Sequence, residues 1–151
     1  MPDRARELRD LMQQLFRRFG ALASDTTPCG KPLAMAHAHA LMHLRAHGEQ
    51  TQQALSQHLG IDKSNVARLC SRMIDAGHAS QLANHADGRS RLVTLTARGT
   101  RLAQEIEASS LARFAAVLDQ LGVPQQKQTI EALALLLGAI TNLPPPNTDD
   151  E

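Results

Sequence analysis

Aromatic residues make up only 2% of this 151-residue chain, and Trp and Tyr are missing altogether. Leu and Ala must therefore do most of the packing. No apolar run approaches the roughly 18 residues that a membrane-spanning helix needs. The opening stretch MPDRARELRDLMQQ is charged and lacks the apolar core of a secretory leader. Two cysteines, Cys29 and Cys70, are too few for a disulfide framework. There is no glycine-rich phosphate loop, no Cys-x-x-Cys and no nucleophile motif. The Ser, His and Asp residues are scattered rather than grouped for catalysis. These absences argue against a membrane protein, a disulfide-stapled secreted domain and an enzyme. A cytoplasmic chain of one-domain size is the expectation, long enough to bury a core.

What is present is unevenly charged. The net charge is +1. Residues 51–101 nevertheless hold seven Lys or Arg against three acids, whereas residues 102–151 hold two against seven. A basic middle followed by an acidic last third points to a nucleic-acid surface on the middle segment.

Hydrophobic spacing predicts the elements. Leu8, Leu11, Met12, Leu15, Phe19 and Leu22 form a stripe over a first helix from Asp3 to Ala23. SDTTPCGKP (24–32) is a loop, and a second helix runs from Leu33 to Ala46. Thr51 is placed to cap a short helix ending at His58, with Gly60 in the next turn. Asp62 can cap a further helix. Its inner face is Val66, Leu69, Met73 and Ile74, and its outer face is Lys63, Ser64, Asn65, Arg68 and Arg72. ASQLA (79–83) and LVTLT (92–96) flank the turn-formers NHADGRS, a β-hairpin with a charged tip. Thr96 then caps a long helix from Ala97 to Leu121, and a last helix spans Pro124 to Ile140. PPPNTDDE is expected to be disordered. A short helix, a Gly turn and a second helix with a basic outer face make a helix-turn-helix, and the hairpin after it makes a wing. The fold class is therefore mainly α, a winged helix-turn-helix with a two-stranded β-wing and flanking N- and C-terminal helices.

LSQHLGIDKSNVARLCSRMIDAGHASQ followed by DGRSRLVTLTARG resembles the DNA-binding core of the MarR family of transcriptional regulators. The wing fits a D-x-R-x-x-x-V-x-L-T pattern at Asp87, Arg89, Val93, Leu95 and Thr96. The resemblance implies a homodimer with two winged-helix lobes on pseudo-palindromic double-stranded DNA. The DNA-binding part would be residues 33–101. The dimerisation helices would be 3–23 and 102–141, with Leu8, Leu11, Leu15, Leu118, Leu121, Leu133 and Leu137 at their contacts, and 142–151 would be tail. The last helix agrees: TIEALALLLGAI is apolar nearly all round and needs a partner surface.

Within the motif, Ser64, Asn65 and Arg68 are candidates for base edges, Arg for guanine and Asn for adenine. Lys63 and Arg72 suit phosphate, and Gln53 could donate to it too. Arg89 and Arg91 on the wing suit the minor groove or phosphate bridging. Asp87 is expected to orient the Arg89 guanidinium through a bidentate pair, its alternative role being to shape the turn.

His39, His43 and His47 share one helical face at i, i+4 and i+8, a spacing able to bind metal. Zinc-sensing relatives have a ligand set resembling His39, Glu105 and Cys29. Ile106 and Ser110 stand near the places where such relatives carry further histidines. No metal and no cofactor are therefore expected. Cys29, with Lys31 as its nearby cation, is a redox-sensor candidate, and His39 and His43 are candidates for lining an inducer cavity. The function implied is a DNA-binding repressor released by a small molecule or oxidant. The alternatives are a winged-helix protein-interaction module and a zinc- or thiol-responsive regulator of the same kind.

Overall fold

Residues 1–144 are described by the structure, a computed structural model. They fall into two compact units, one ending at Leu111 and the other starting at Ala112. Of the expected tail, 145–151 lie outside the described residues.

The first unit opens with α1 (Pro2–Phe19). The apolar stripe had predicted helix through Ala23. The chain stops four residues earlier because Gly20 turns left-handed at φ +85°, and its amide caps the helix end. α2 (Met35–His47) also ends at a positive-φ glycine, Gly48. Next comes β1 (Gln50–Thr51), a strand too short for any alternation to announce. It pairs with β3 (Arg91–Leu95) in the register Gln50↔Val93 and Thr51↔Leu92. The sheet is thus three-stranded and antiparallel, in the order β1-β3-β2 with β2 at Ala79–Ala83: the expected two-stranded wing, plus one strand the sequence did not announce. Physically, β3 buries Val93 and has two edges, and β1 covers the second of them.

α3 (Gln52–Leu59) is capped by Thr51, whose hydroxyl accepts the Ala54 amide at 3.1 Å. α4 (Lys63–Asp75) is capped by Asp62. β2 (Ala79–Ala83) and β3 (Arg91–Leu95) form the wing. Leu41 of α2, Leu55 of α3, Val66, Leu69 and Met73 of α4 and Val93 of β3 are each at most 2% exposed and make one core. Burying each large side chain contributes on the order of 1.5–3 kcal/mol, so this core holds α4 and the wing in fixed register. Ile106, from the first part of α5 (Ala97–Leu118), completes it.

Thr96 binds α5 to the turn after α4. Its hydroxyl donates to the Gly77 carbonyl at 2.6 Å and accepts the Gly99 amide at 3.0 Å. Gly99 lies so close to the His78 backbone that an added Cβ would sit 1.9 Å from its carbonyl oxygen.

The second unit holds the end of α5 and α6 (Val123–Thr141). α5 ends at Leu118 rather than Leu121. The carbonyls of Leu118 and Leu121 accept instead from the Gln126 side chain, at 3.1 and 3.2 Å, which closes the turn into α6. No residue of α6 is buried, and Ile130, Leu133, Leu135, Leu137 and Ile140 are exposed.

Candidate nucleic-acid interface

Every residue singled out from the sequence for DNA contact is exposed: Gln53, Lys63, Ser64, Asn65, Arg68, Arg72, Asp87, Arg89 and Arg91. The core beneath accounts for their placement. Because Val66, Leu69 and Met73 are held inward, the helical period turns Ser64, Asn65, Arg68 and Arg72 to the opposite side.

Between α3, the start of α4 and the wing lies a cleft of about 560 Å³, lined by Gln53, Lys63, Asp87, Arg89 and Arg91 among others. The structure thus brings one helix-turn-helix cation and both wing arginines to a single opening. Gln52, Gln81, Asn84 and Ser90 also line it, and sequence reasoning missed them. Their only sequence signal was polarity within elements already assigned.

At the mouth of the helix-turn-helix, Gly60 takes φ +65° and the Ser56 hydroxyl donates to the Ile61 carbonyl at 2.6 Å. This pins the tight turn. Asp62 then caps α4, its Oδ1 accepting the Asn65 amide at 2.7 Å. Its Oδ2 accepts from Asn65 Nδ2 at 2.7 Å, and Asn65 Oδ1 in turn accepts from Arg68 Nη2 at 2.9 Å. The backbone amide of Asn65 is the main reason the Asp62 carboxyl is held below its ordinary range, with Arg68 adding to it.

The wing tip overturns one expectation. Asp87 forms no ion pair with Arg89, nor with any other described residue. Its Oδ1 accepts the Arg89 backbone amide at 3.0 Å, and its carbonyl accepts the Ser90 amide at 3.2 Å. Asn84 makes a matching turn, accepting the Ala86 amide at 3.1 Å and donating to Ser90 Oγ at 2.7 Å. A short side chain two residues before a free amide closes this ring at little entropic cost. An arginine pair would have to immobilise a long one.

The histidines organise otherwise than a ligand set. His43 stacks between His47 and His58, with ring centroids 4.3 and 3.7 Å away. No group of three or more metal-binding side chains is assembled among the described residues. Burial, with His58 beside them, holds His39 and His43 below the ordinary imidazole range. Sequence reading missed a second pair: His37 Nε2 lies 3.1 Å from His78 Nδ1, joining α2 to the turn between α4 and β2. Cys29 is half-buried with its sulfur 3.1 Å from Thr27 Oγ1. Lys31, the cation expected to serve that thiol, pairs with Glu105 at 3.7 Å.

The profile of the MarR family matches residues 32–90, from the start of α2 to the wing tip. HTH-type transcriptional repressor Rv2887 of Mycobacterium tuberculosis is 36% identical over 74 residues, 49% of this chain and 53% of that protein. The chain thus spans about half the length of the curated relatives it matches. Streptococcus pneumoniae FabT, solved in complex with DNA, superposes with a TM-score of 0.78 at 12% identity, covering 93% of this chain and 99% of that one. The PcaV regulator of Streptomyces coelicolor, solved with its natural ligand, gives 0.64 at 21% identity over 90% of each chain. At such identities the likeness is one of fold alone, a winged helix flanked by further helices. No described helix is long and apolar enough to cross a membrane.

Proposed function

We propose that this chain is a sequence-specific, DNA-binding transcription regulator of the MarR type, a repressor and not an enzyme. The observation that carries the reading is the cleft where Lys63, Arg89 and Arg91 converge beside the exposed face of α4. Such a surface inserts a helix into the major groove while the wing straddles phosphate or enters the minor groove. The repressor names of the mycobacterial relatives and the DNA bound to FabT support it.

The working unit is a homodimer, with residues 33–101 on DNA and the stretches 3–23 and 102–141 holding two copies together. Leu8, Leu11 and Leu15 on α1 and Leu133 and Leu137 on α6 are exposed, while Leu118 and Leu121 are half-buried. Exposed leucines in such number are what a second copy would cover. The operator is pseudo-palindromic, its half-sites about one helical turn apart. Release follows a small molecule or an oxidant, with Cys29, His39 and His43 as the groups that would register it; ligand-bound PcaV supports the former.

The test is fluorescence anisotropy of duplex binding across a salt series. DNA binding through phosphate-directed cations gives a steep, linear fall of log affinity with log salt. A flat response would favour the protein-interaction reading. Oxidant release through Cys29 requires Cys29→Ser to bind normally and ignore peroxide; a Cys29→Ser protein that still responds leaves the non-covalent ligand.

A further inference from the structure

We propose that Asn65 is a positioning residue for Arg68 rather than a reader of bases, so that each operator half-site is specified through a G·C pair facing Arg68. The inference rests on the DNA-binding reading above and goes beyond it by naming the base.

The argument begins with the cap. Asp62 Oδ1 is fixed by the Asn65 backbone amide, which leaves Oδ2 pointing along the helix surface at a set height. Asn65 Nδ2 donates to that oxygen at 2.7 Å, so the amide plane of Asn65 inherits the orientation of the cap. Its other end, Oδ1, accepts from Arg68 Nη2 at 2.9 Å. Asn65 stands three residues after the N-cap Asp62 and three before Arg68, the spacing at which successive side chains meet. The outcome is a relay: backbone to carboxylate, carboxylate to amide, amide to guanidinium.

Chemistry then assigns the roles. Reading adenine takes both ends of an Asn amide at once, Nδ2 donating to N7 and Oδ1 accepting from N6. In Asn65 each end keeps one spare N–H or lone pair, but both ends are tied along the helix, so turning the amide onto an adenine edge would break the bonds to Asp62 and Arg68. Arg68 is different. A guanidinium carries five N–H donors, the relay uses one, and the remaining donors suffice for guanine O6 and N7. Arg68 makes no ion pair within 4 Å among the described residues, so its charge remains available to DNA. An exposed arginine otherwise samples many rotamers, and holding it at one nitrogen aims the rest.

The experiment is selection of the full-length protein on a library of randomised double-stranded DNA, with sequencing of bound duplexes. It is run for wild type, Arg68→Ala, Asn65→Ala and Asn65→Asp, with circular dichroism to verify folding. Wild type should yield a two-fold-related consensus with one strongly preferred G per half-site, and Arg68→Ala should erase that position. Asn65→Ala should weaken the same G preference by about tenfold, within the range that one bidentate arginine contact discriminates. Asn65→Asp still offers Arg68 an acceptor and is repelled by Asp62 toward it. It should restore most of the G preference while lowering overall affinity through its added negative charge. Loss of an A·T position in both Asn65 variants, with G untouched, would show Asn65 reading adenine directly and overturn the proposal. So would an unchanged G preference in Asn65→Ala. If wild type selects no consensus at all, the sequence-specific reading itself fails, and the relay falls with it.

Discussion

Gly99 occupies the first turn of α5, where alanine ordinarily strengthens a helix by about 0.5–1 kcal/mol. Here the sign reverses. The new Cβ would meet the His78 carbonyl oxygen at 1.9 Å and its carbon at 2.8 Å, both backbone atoms that cannot swing aside. Gly99→Ala should therefore destabilise the protein by roughly 3 kcal/mol, the upper part of the overpacking range, measured by urea unfolding. Asp87 also behaves contrary to its charge pattern. Because its carboxylate shapes the wing turn, Asp87→Asn keeps the acceptor for the Arg89 amide and removes a negative charge from the proposed DNA face. Asp87→Asn should bind duplex more tightly, by up to about fivefold, the scale of one exposed charge pair. Asp87→Ala gains the same charge but frees the turn, and should gain less. Equal affinities for the two variants in anisotropy would show that the turn hydrogen bond does not matter to binding.

Among the elements, α2 depends on histidine more than its apolar face suggests. His37 is held at about pKa 4, first by burial and then by His78 and Arg72. Burial and Arg98 lower His78 as well. A ring whose folded pKa lies below its ordinary 6.5 stabilises the fold only while neutral. The unfolded chain takes up the proton first, so this stability is full above about pH 6.5 and drains away as pH falls toward 4. The melting temperature should accordingly decline over that window. His37→Gln, which can donate to His78 without titrating, should flatten the decline in part, since His39, His43 and His78 still titrate low. An unchanged pH profile in His37→Gln would mean that the His37–His78 contact carries no linkage. On the proposed reading, α4 and the wing divide the DNA work between them. Arg68→Ala should cost roughly 1–3 kcal/mol on operator and little on random duplex, whereas Arg89→Ala should weaken both alike and flatten the salt dependence.

At the scale of the whole molecule, the question is what covers the exposed leucines. Leu133 is 51% exposed and Leu137 65%, one helical turn apart on α6. An aqueous surface tolerates single exposed apolar side chains, but not a helix carrying them on most of its circumference. Introducing Leu133→Asp and Leu137→Asp together should leave the winged-helix core folded, because neither residue belongs to it, and should convert the proposed dimer to a monomer in sedimentation velocity. A variant that still sediments as a stable dimer would place the interface elsewhere.

Much of this was legible in the residues alone, because it depends on interactions within about four positions of the chain. Thr51, Asp62 and Thr96 were recognisable as caps, and Val66, Leu69 and Met73 as the inner face of α4. The basic outer face followed as the complement of that inner face, which is why nine DNA candidates could be named before any coordinates. Other features join residues far apart, and no local pattern announces them. β1 exists only because Gln50 and Thr51 meet the free edge of β3 some forty residues later. The His37–His78 contact spans 41 positions, and Gly99 is forbidden a side chain by a carbonyl that only packing brings near. Asp87 was expected to pair with the Arg89 side chain and instead caps its amide: acid and base two apart admit either a turn or an ion pair. Composition cannot choose between these. The backbone path of the hairpin decided for the turn, because it places the Arg89 amide within reach of the carboxylate.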